Sequence, residues 1–344
     1  MSISHIFPKY SALYFIETQD IKKYDPYGRY LCPSSLLQHR ILITNLEVSE
    51  RMNYKHLDRA FADAPVLELS MSSKIVLISD CHRGTGTSND NFLKNQNLYF
   101  AALKYYYREE FTYIELGDGD ELWENRSLRQ IVDIHSDVFW LLSRFYEKSR
   151  LYLLYGNHDM IKRSSSFVRK NLSSYYYSSG AQDTPLFPAI QIYEGMILKD
   201  HARDIYLTHG HQVDRLNSTW WRVARFLVRY IWKPAEQFGV LDPTSAAKNY
   251  THKRKTEESL TRWACDHKHI LVTGHTHRPM IGDPSSPFFN TGSCVHPRCI
   301  TCIEIEKRCL TLVKWTTATR DDMTLYVARE VLAGPVCIDD YNNE

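Results

Sequence analysis

Features that would place this chain of 344 residues in a specialised class are missing from its sequence. No uninterrupted apolar run reaches the roughly 20 residues that a membrane-spanning helix needs, so we expect no integral membrane protein. Residues 1–14 have neither a basic start nor an apolar core, so we expect no signal peptide. The net charge is only +2, which gives no signal for nucleic-acid binding. These absences predict a cytoplasmic globular protein with no specific nucleic-acid partner.

Cysteine does not form a recognisable framework either. Eight cysteines are scattered along the chain, and without a secretion signal we expect them to be reduced. A group near the carboxyl end, Cys294, Cys299, Cys302 and Cys309, raises the alternative of a zinc site. Strand alternation would send Cys299 and Cys302 to opposite faces of a sheet, which disfavours shared metal binding. We therefore interpret the group as small buried residues.

The composition that is present, 43% hydrophobic and 24% charged, is that of an ordinary globular protein. From Lys74 onward, short apolar runs alternate with longer amphipathic stretches. Strands are predicted at 75–78, 113–116 and 151–155, and helices at 91–110, 127–148 and 167–177. Repeated strand and helix units of this length predict βαβ units with a parallel sheet.

The later part of the chain has more predicted strands and fewer predicted helices. Residues 190–193 and 196–198 flank Glu194-Gly195 and predict a hairpin with a two-residue turn. Further strands are predicted at 41–43, 205–208, 299–306, 309–315 and 323–328. We divide the chain into an N-terminal extension, 1–73, packed on a main domain, 74–344, that carries a helical insertion at 212–268.

Polar blocks follow five of the apolar runs, at the point where each predicted strand ends. They occupy residues 79–82, 117–121, 156–159, 208–211 and 274–279. The carboxyl ends of strands are where α/β sheets place their sites. Carboxylate, amide and imidazole groups are donors for manganese, iron and zinc. The seven candidate ligands are Asp80, His82, Asp118, Asn157, His209, His275 and His277.

These donors suffice for two metal ions if Asp118 bridges them, because each ion then has four protein ligands. A pair about 3.5–4 Å apart activates a bridging hydroxide and clamps the oxygens of a phosphoryl transfer. We therefore predict two divalent transition-metal ions, manganese first, with iron or zinc as alternatives. His158 is the candidate general acid for the leaving oxygen, and the carboxylate of Asp159 is expected to orient its ring.

The ordered set Asp-x-His, Gly-Asp-x-x-Glu, Gly-Asn-His-Asp, His-Gly and Gly-His-x-His resembles the calcineurin-like metallophosphoesterases over residues 74–314. The resemblance implies an α/β fold of four layers, an αββα sandwich with two mixed sheets face to face and helices on both outer sides. It implies a dinuclear metal site. One metal would be held by Asp80, His82, Asp118 and His277, and the other by Asp118, Asn157, His209 and His275. His158 would be the acid, with Asp159 behind it.

Within that family, Gly117-Asp118-x-x-Glu121-x-Trp123 and the insertion are similar to the UDP-2,3-diacylglucosamine hydrolase branch. Members of that branch cut the pyrophosphate of a nucleotide-linked lipid at the membrane surface. They often carry Arg where this chain has His158 and Asp where it has His211, which leaves the substrate open. A phosphorylated small molecule is the alternative. The alternative of another class is a binding scaffold that has lost its metals, although the donor set has no gap.

Two basic features have two interpretations each. Within residues 220–233, Arg222, Arg225, Arg229 and Lys233 form one stripe of a helix whose remaining surface is largely apolar. The helix is either a membrane-surface element, giving a location peripheral to the membrane, or a lid packed on the core. Arg83, beside the first block, either neutralises a substrate phosphate or lies in solvent.

Overall fold

The computed structural model describes residues 28–30, 46–87, 90–177, 182–214, 221–232 and 250–343. The α-helices are α1 (Leu46–Ala62), α2 (Gln96–Arg108), α3 (Leu128–Ile134), α4 (Ser136–Glu147), α5 (Ser165–Leu172), α6 (Trp221–Leu227) and α7 (Tyr250–His267). A π-helical turn, Val228–Trp232, continues α6. The strand predicted at 41–43 lies outside the described residues, as do Trp220 and Lys233.

The strands form two large mixed sheets and one small one. They are β1 (Val66–Glu68), β2 (Lys74–Ile78), β3 (Thr112–Leu116), β4 (Leu151–Leu154), β5 (Ser174–Tyr177), β6 (Gln182–Pro185), β7 (Ile192–Tyr193), β8 (Gly195–Lys199), β9 (Ile205–Thr208), β10 (Ile270–Thr273), β11 (Phe288–Asn290), β12 (Cys299–Glu306), β13 (Cys309–Thr319) and β14 (Leu325–Cys337). The seven-stranded sheet has the order β14-β13-β12-β2-β3-β4-β7, and the five-stranded sheet has the order β1-β8-β9-β10-β11. The prediction of two mixed sheets is confirmed.

Strand β2 shows how the layers are held together. Its residues alternate, as strand side chains must, between the two faces of the seven-stranded sheet. Ile75 and Leu77 pack against residues of the five-stranded sheet, including Leu207. On the opposite face of the sheet, Val76 and Ile78 pack against helices α2 to α5. Because both faces are covered, the strand is apolar and buried from Ile75 to Ile78, as strands covered on both faces are.

The outer face of the five-stranded sheet is covered by two further helices. Leu57 of α1 and Leu260 and Trp263 of α7 pack together with Leu271 and Phe288 of the sheet. With α2 to α5 on the other side, the order of layers is helices, seven-stranded sheet, five-stranded sheet, helices. The predicted αββα sandwich is therefore confirmed.

The N-terminal part of the chain contributes to this sandwich. Strand β1 pairs in parallel with β8 as an edge strand of the five-stranded sheet. Helix α1 packs on the same sheet, as expected for a segment attached to the main domain. The division of the chain at residue 74 stays a prediction.

Three predicted elements are wrong in detail. Residues 190–198 form no hairpin, because β7 pairs with β4 in one sheet and β8 pairs with β9 in the other. Residues 174–177 are not helical, because they pair with 182–185 as β5 and β6. Strands β4 and β7 are distant in sequence, and β7 and β8 belong to different sheets, so the local pattern at 190–198 does not reveal their partners. Strands β5 and β6, by contrast, are close in sequence.

The helix predicted over 127–148 is broken at His135. The buried ring of this residue lies 3.0 Å from Asp90 Oδ2 through Nε2 and 3.0 Å from Gln96 Oε1 through Nδ1. His135 has φ −106° and ψ 35°, outside the helical range, and separates α3 from α4. The two tertiary contacts fix the ring and set the position of the break.

The cysteines are not all reduced. Cys309 and Cys337 face each other in the β13–β14 pair and form a disulfide, and Cys265 is also disulfide-bonded. The expectation of reduced thiols is therefore wrong for these residues, and for Cys309 and Cys337 the strand pairing brings the two thiols together. Of the four cysteines predicted to be buried, Cys294 and Cys302 are buried, whereas Cys299 and Cys309 are only partly buried. No cluster of potential metal donors found among the described residues includes a cysteine.

Candidate metal centre

The candidate donors follow neighbouring strands of both sheets. Asp80 and His82 come after β2, Asp118 after β3 and Asn157 after β4, and these three strands are adjacent in the seven-stranded sheet. His209 follows β9, and the last two histidines follow β10, its neighbour in the five-stranded sheet. The carboxyl ends of the two groups of strands converge at one place. The two facing sheets therefore build the site jointly.

The backbone in these loops adopts a conformation that side chains disfavour. Positive φ angles occur at Asp80 (51°), His82 (49°), Asp118 (50°), His275 (66°) and His277 (56°). Each left-handed residue other than glycine costs on the order of 1 kcal/mol, so the surroundings must hold it. Hydrogen bonds between the loops do so: the N–H of Asp80 donates to Gly117 O (3.1 Å), and that of His82 donates to Asp118 O (2.9 Å).

Glycines make the close approach of these loops feasible. A Cβ on Gly156 would collide with the carboxylate of Asp118, and a Cβ on Gly274 would collide with the side chains of Ser79 and Asp80. Both glycines therefore serve the site by bringing backbone against a donor group.

One group of donors consists of Asp80, His82 and His277. Nε2 of His277 lies 3.0 Å from Oδ1 of Asp80 and 3.3 Å from Nε2 of His82. Nε2 of His82 lies 3.8 Å from the same carboxylate oxygen. On the other side of its ring, Nδ1 of His82 is 2.9 Å from Oε2 of Glu121. That contact orients the imidazole so that Nε2 faces the other donors.

A second group surrounds Asp118. Nε2 of His209 lies 3.1 Å from Asp118 Oδ2 and 3.2 Å from Asn157 Oδ1, and His275 joins the same cluster. Nδ1 of His209 lies 2.9 Å from the carbonyl oxygen of Leu116. Asp118 Oδ2 also lies 3.8 Å from Nε2 of His82. Asp118 thus stands between the two groups, where the sequence predicted a bridging ligand.

Among the described residues, two buried atoms in these groups have no hydrogen bond of suitable geometry. They are Nε2 of His275 and Oδ1 of Asp80, which has Nε2 of His277 beside it at 3.0 Å. A buried polar atom without a partner costs about 1–3 kcal/mol, so such atoms usually have a function or an additional partner. A divalent cation bound between the groups would supply that partner. The donor set, imidazole with carboxylate and amide oxygen, is one that fits manganese, iron or zinc.

The electrostatics of the site couple the carboxylates to the histidines. Burial alone would raise the pKa of Asp118, but His209 and His158 outweigh it and hold that pKa below its ordinary value. Burial alone would lower the pKa of His209, but Asp118 and Asp80 outweigh it and raise that pKa to about 9. The carboxylates therefore stabilise a positive charge at this place, here on the ring of His209.

His158 lies beside the first group with a partner other than the expected one. Its Nδ1 is 3.0 Å from Oε1 of Glu121, and its ring stacks on Trp123 with centroids 4.3 Å apart. Asp159 instead accepts the N–H of Gly156 (2.7 Å) and faces Nζ of Lys162 (2.6 Å). The predicted contact between Asp159 and His158 is therefore wrong. A 3₁₀ turn, Met160–Arg163, starts immediately after Asp159 and turns it towards Lys162.

Both interpretations of Arg83 are wrong. The residue is buried, and its guanidinium donates two hydrogen bonds to Glu115 and one to Asp120. Lys162 extends this layer, with Nζ 2.6 Å from Asp120 Oδ2. The layer lies beneath the loops and fixes their positions. Sequence patterns gave no sign of it, because its members are separate in the chain and charged residues usually suggest exposure.

Two further buried residues lie beside the second group: His211, which belongs to one of the polar blocks and was expected near the site, and Asp214, which was not expected there. Asp214 is buried, with Oδ2 3.6 Å from Nε2 of His275. His211 is buried, and its Nδ1 makes no hydrogen bond. Burial and the nearby His209 and His275 lower the pKa of His211. The neutral ring therefore adds no positive charge beside the cluster.

The helical insertion packs directly on the site. Ala224 and Val228 bury against Trp123, and Trp221 packs beside them. Arg229 donates to the carbonyl oxygens of Trp123 (2.7 Å) and Leu122 (2.8 Å). This arginine therefore fastens α6 to the loop that carries Glu121 and does not belong to a free basic stripe. None of the helices described is long and apolar enough to span a bilayer.

Comparison with known proteins gives one family match. The family model described as calcineurin-like phosphoesterase matches residues 73–279, more than half of the chain. No curated protein matches.

Several solved structures are similar at a distance. One is a conserved uncharacterized protein, a predicted phosphoesterase, from Streptococcus pneumoniae TIGR4 (14% identity, 75% of this chain and 97% of that chain, TM-score 0.32). Another is Vps29 from Chaetomium thermophilum (12% identity, 76% and 97%, TM-score 0.35). A third is a single mutant of Vps29 from Entamoeba histolytica (15% identity, 76% and 99%, TM-score 0.33). At such TM-scores nothing about function follows from these likenesses.

Proposed function

Because the chain belongs to the calcineurin-like phosphoesterase family, we propose that it is a metal-dependent hydrolase of phosphoester or pyrophosphate bonds. The observation that carries this proposal is the position of Asp118 between two groups of donors that contain buried atoms without hydrogen-bond partners. A protein that used this fold only as a scaffold would not need such groups.

The residues that would hold two divalent metals are the seven candidate donors, with Asp118 shared. Asp80, His82 and His277 would complete one site, and Asn157, His209 and His275 would complete the other. Manganese is the proposed ion, with iron or zinc as alternatives. When bound, such a pair supplies a nucleophile at neutral pH and polarises a phosphoryl oxygen.

His158 is proposed to hold the proton that the leaving oxygen receives. Its Nδ1 faces Glu121, which leaves Nε2 as the atom that would donate. Burial alone would lower the pKa of His158, but Glu121 and Asp118 outweigh it and raise that pKa. The raised pKa favours the protonated ring, which is the form that a general acid needs. Trp123 stacks on one face of the ring and limits its motion.

Hydrolysis assays test this function. Purified protein with Mn²⁺ is offered a phosphomonoester, a phosphodiester and a nucleotide-linked pyrophosphate, and its metal content is measured. We expect hydrolysis of at least one compound and close to two metal equivalents per chain. Metal-loaded protein that hydrolyses none of the three would favour the alternative of a non-catalytic scaffold.

A narrower candidate is a pyrophosphatase of a nucleotide-linked lipid, acting as a cytoplasmic protein peripheral to the membrane. The outward side of α6 and its π-helical turn favours it, because Val223, Phe226 and Tyr230 are exposed there while the inner side packs on Trp123. Exposed aromatic and apolar groups beside arginines are typical of interfacial helices.

Sedimentation with liposomes tests this membrane contact. We expect wild type to bind liposomes and Val223→Ser/Phe226→Ser to bind less. Leu325→Ser, which alters an exposed apolar residue of β14, is the control. If the wild-type protein does not bind liposomes at low salt, the membrane contact is rejected and a soluble phosphorylated compound is favoured as the substrate.

A further inference from the structure

Three arginines surround Trp221 at the edge of the candidate site. The guanidinium carbons of Arg163, Arg222 and Arg225 lie 5.7, 5.6 and 4.9 Å from the centre of its indole ring. Arg163 comes from the turn that follows Asp159, whereas the other two come from α6. Two separate segments thus bring three cations to one aromatic side chain. We call this group the arginine cluster.

The arginine cluster has no carboxylate partner among the residues that the structure describes. Within the ranges that the structure describes, none of Arg163, Arg222 and Arg225 forms an ion pair with a carboxylate. Burial, together with the neighbouring Arg229 and Arg222 guanidiniums, lowers the pKa of Arg225. An unpaired group of like charges is unfavourable, and an anion placed among them would relieve the repulsion.

An arginine elsewhere in the chain shows the ordinary arrangement. Arg144 lies over the ring of Trp140 at 5.4 Å, much as Arg225 lies over Trp221. Arg144 is also paired with Glu147, with 2.7 Å between Nη1 and Oε2. Stacking on tryptophan therefore does not by itself leave an arginine without a counter-charge. What distinguishes the arginine cluster is the lack of a carboxylate.

The arginine cluster lies on one particular side of the site. Trp221 packs with Trp123, whose ring stacks on His158. Trp123 therefore lies between Trp221, the aromatic residue of the arginine cluster, and His158, the residue proposed to protonate the leaving group. Arg229 fixes this arrangement by fastening α6 to the same loop. A group held by the cluster would belong to the leaving part of a substrate.

We propose that Arg163, Arg222 and Arg225 form a subsite for a second phosphate on the leaving-group side of the substrate. Guanidinium groups match the geometry of phosphate oxygens and keep their charge, which suits this role. The proposal rests on the proposed hydrolase function and narrows its substrate class to compounds with two neighbouring phosphates.

The corresponding reaction is hydrolysis of a P–O–P linkage. A water oxygen forms a bond to one phosphorus, and the bond from that phosphorus to the bridging oxygen breaks. The electron pair stays on the bridging oxygen, which leaves as part of the second phosphate and takes its proton from His158. One proton of the water is released to solvent and the other stays on the attacked phosphate, and His158 is reprotonated from solvent. The products are two phosphate monoesters, and the arginine cluster would stabilise the charge on the one that leaves.

Binding of two stable anions tests the subsite without requiring turnover. Isothermal calorimetry on metal-loaded protein compares methylenediphosphonate, which carries two phosphonates, with methylphosphonate, which carries one. We expect wild type to prefer the first. In Arg163→Ala/Arg222→Ala/Arg225→Ala this preference should fall by about tenfold or more, since hydrogen bonds to charged groups are lost. Arg144→Ala should keep the wild-type ratio.

The contrary result is an equal ratio in wild type and the triple variant, which would overturn the subsite. If the triple variant does not fold, as judged by its unfolding temperature, the exposed Arg222 is replaced alone and a smaller fall in the ratio is expected. No change in that variant would likewise contradict the proposal. Because the readout is binding, a protein that hydrolyses nothing but shows the ratio change would refute the hydrolase function and retain the anionic subsite.

A lipid head group could present the same phosphate chemistry. Vesicles of phosphatidylcholine with and without phosphatidic acid distinguish this source. If the triple variant loses binding to the acidic vesicles while its preference for methylenediphosphonate is unchanged, the arginine cluster serves a membrane surface and the substrate subsite is rejected. If the preference falls and vesicle binding does not change, the subsite is supported.

Discussion

The two groups of donors that meet at Asp118 differ in their access to solvent. In the group of Asp80, His82 and His277, the two histidine side chains are 11% and 16% exposed. In the other group, the side chains of His209 and His275 are 0% and 4% exposed. The first group also adjoins His158, whose side chain is 23% exposed. The first group is therefore the side of the site that is open to solvent, and the second group is its closed floor.

The hydrogen-bond partners that orient the histidines also differ between the open and the closed group. Nδ1 of His82 is held by the side chain of Glu121, which also holds His158. Nδ1 of His209 is held by the main-chain carbonyl oxygen of Leu116, at the end of β3. A strand carbonyl in a fully packed core has less freedom than a side chain near solvent. We infer that a metal in the open group exchanges more readily than one in the closed group.

The largest effect is expected from removing the residue that both groups share. Asp118→Ala should lose nearly all activity and about one or both metal equivalents, because a bridging carboxylate contributes to both ions. Elemental analysis and a hydrolysis assay measure the two quantities. Asp321→Ala, in the exposed turn between β13 and β14, is the control. Full metal content with wild-type activity in Asp118→Ala would show that Asp118 is not a ligand shared by the two groups.

A large effect is also expected at the open side alone. His158→Ala should lower kcat by roughly 10²–10⁴ on a substrate with a poor leaving group, since general acid catalysis is worth that much. The loss should be much smaller with a nitrophenolate leaving group, which needs little protonation. His201→Ala, which alters a side chain 73% exposed, is the matched control. An equal loss on both substrates would show that His158 positions the phosphate and does not donate a proton.

Metal removal tests the difference in access directly. With a chelator, we expect two phases of metal release, the faster from the open group. His82→Ala should abolish the fast phase, and His209→Ala should alter the slow one. Outer partners of metal ligands typically change affinity by about 10–100-fold, so Glu121→Gln should speed the fast phase without affecting the other. Release of both ions in a single phase in all variants would contradict the distinction.

The smallest effect concerns pH. Glu121 and Asp118 raise the pKa of His158 against the effect of burial, so loss of the Glu121 charge should lower that pKa. The acid must be protonated, so the alkaline fall of kcat should move to lower pH in Glu121→Gln. Rates well below that pKa should change less than rates above it. Glu147→Gln, on the surface of α4, is the control. An unshifted alkaline limb would mean that Glu121 does not set the protonation of His158.

Much of the site was predictable because its residues follow local rules. A short apolar run followed by glycine and a polar block marks a strand end, and donors such as Asp80, Asp118 and His209 were found in that way. The partners that support them were not. Glu121 could be placed near the site from its position three residues after Asp118, but its contact with two histidines could not. Lys162 and Asp214 gave no signal, because nothing in the chain near them indicates what they face.

Local patterns in the sequence predicted the strands, the helices and the seven candidate donors, whereas the two mixed sheets and the order of layers were expected from the resemblance of the motifs to a known family. Periodicity and the residue types at strand ends are local properties of the chain, so they can be recognised without knowing the tertiary structure. Only the tertiary structure decided that Glu121 rather than Asp159 supports His158, that Arg83 is buried, and that Arg229 fastens α6 to the loop around Trp123. Each of these depends on which side chains meet across 37 to 106 residues of chain. Such meetings are fixed by packing two sheets and an insertion against each other, and no local pattern encodes them.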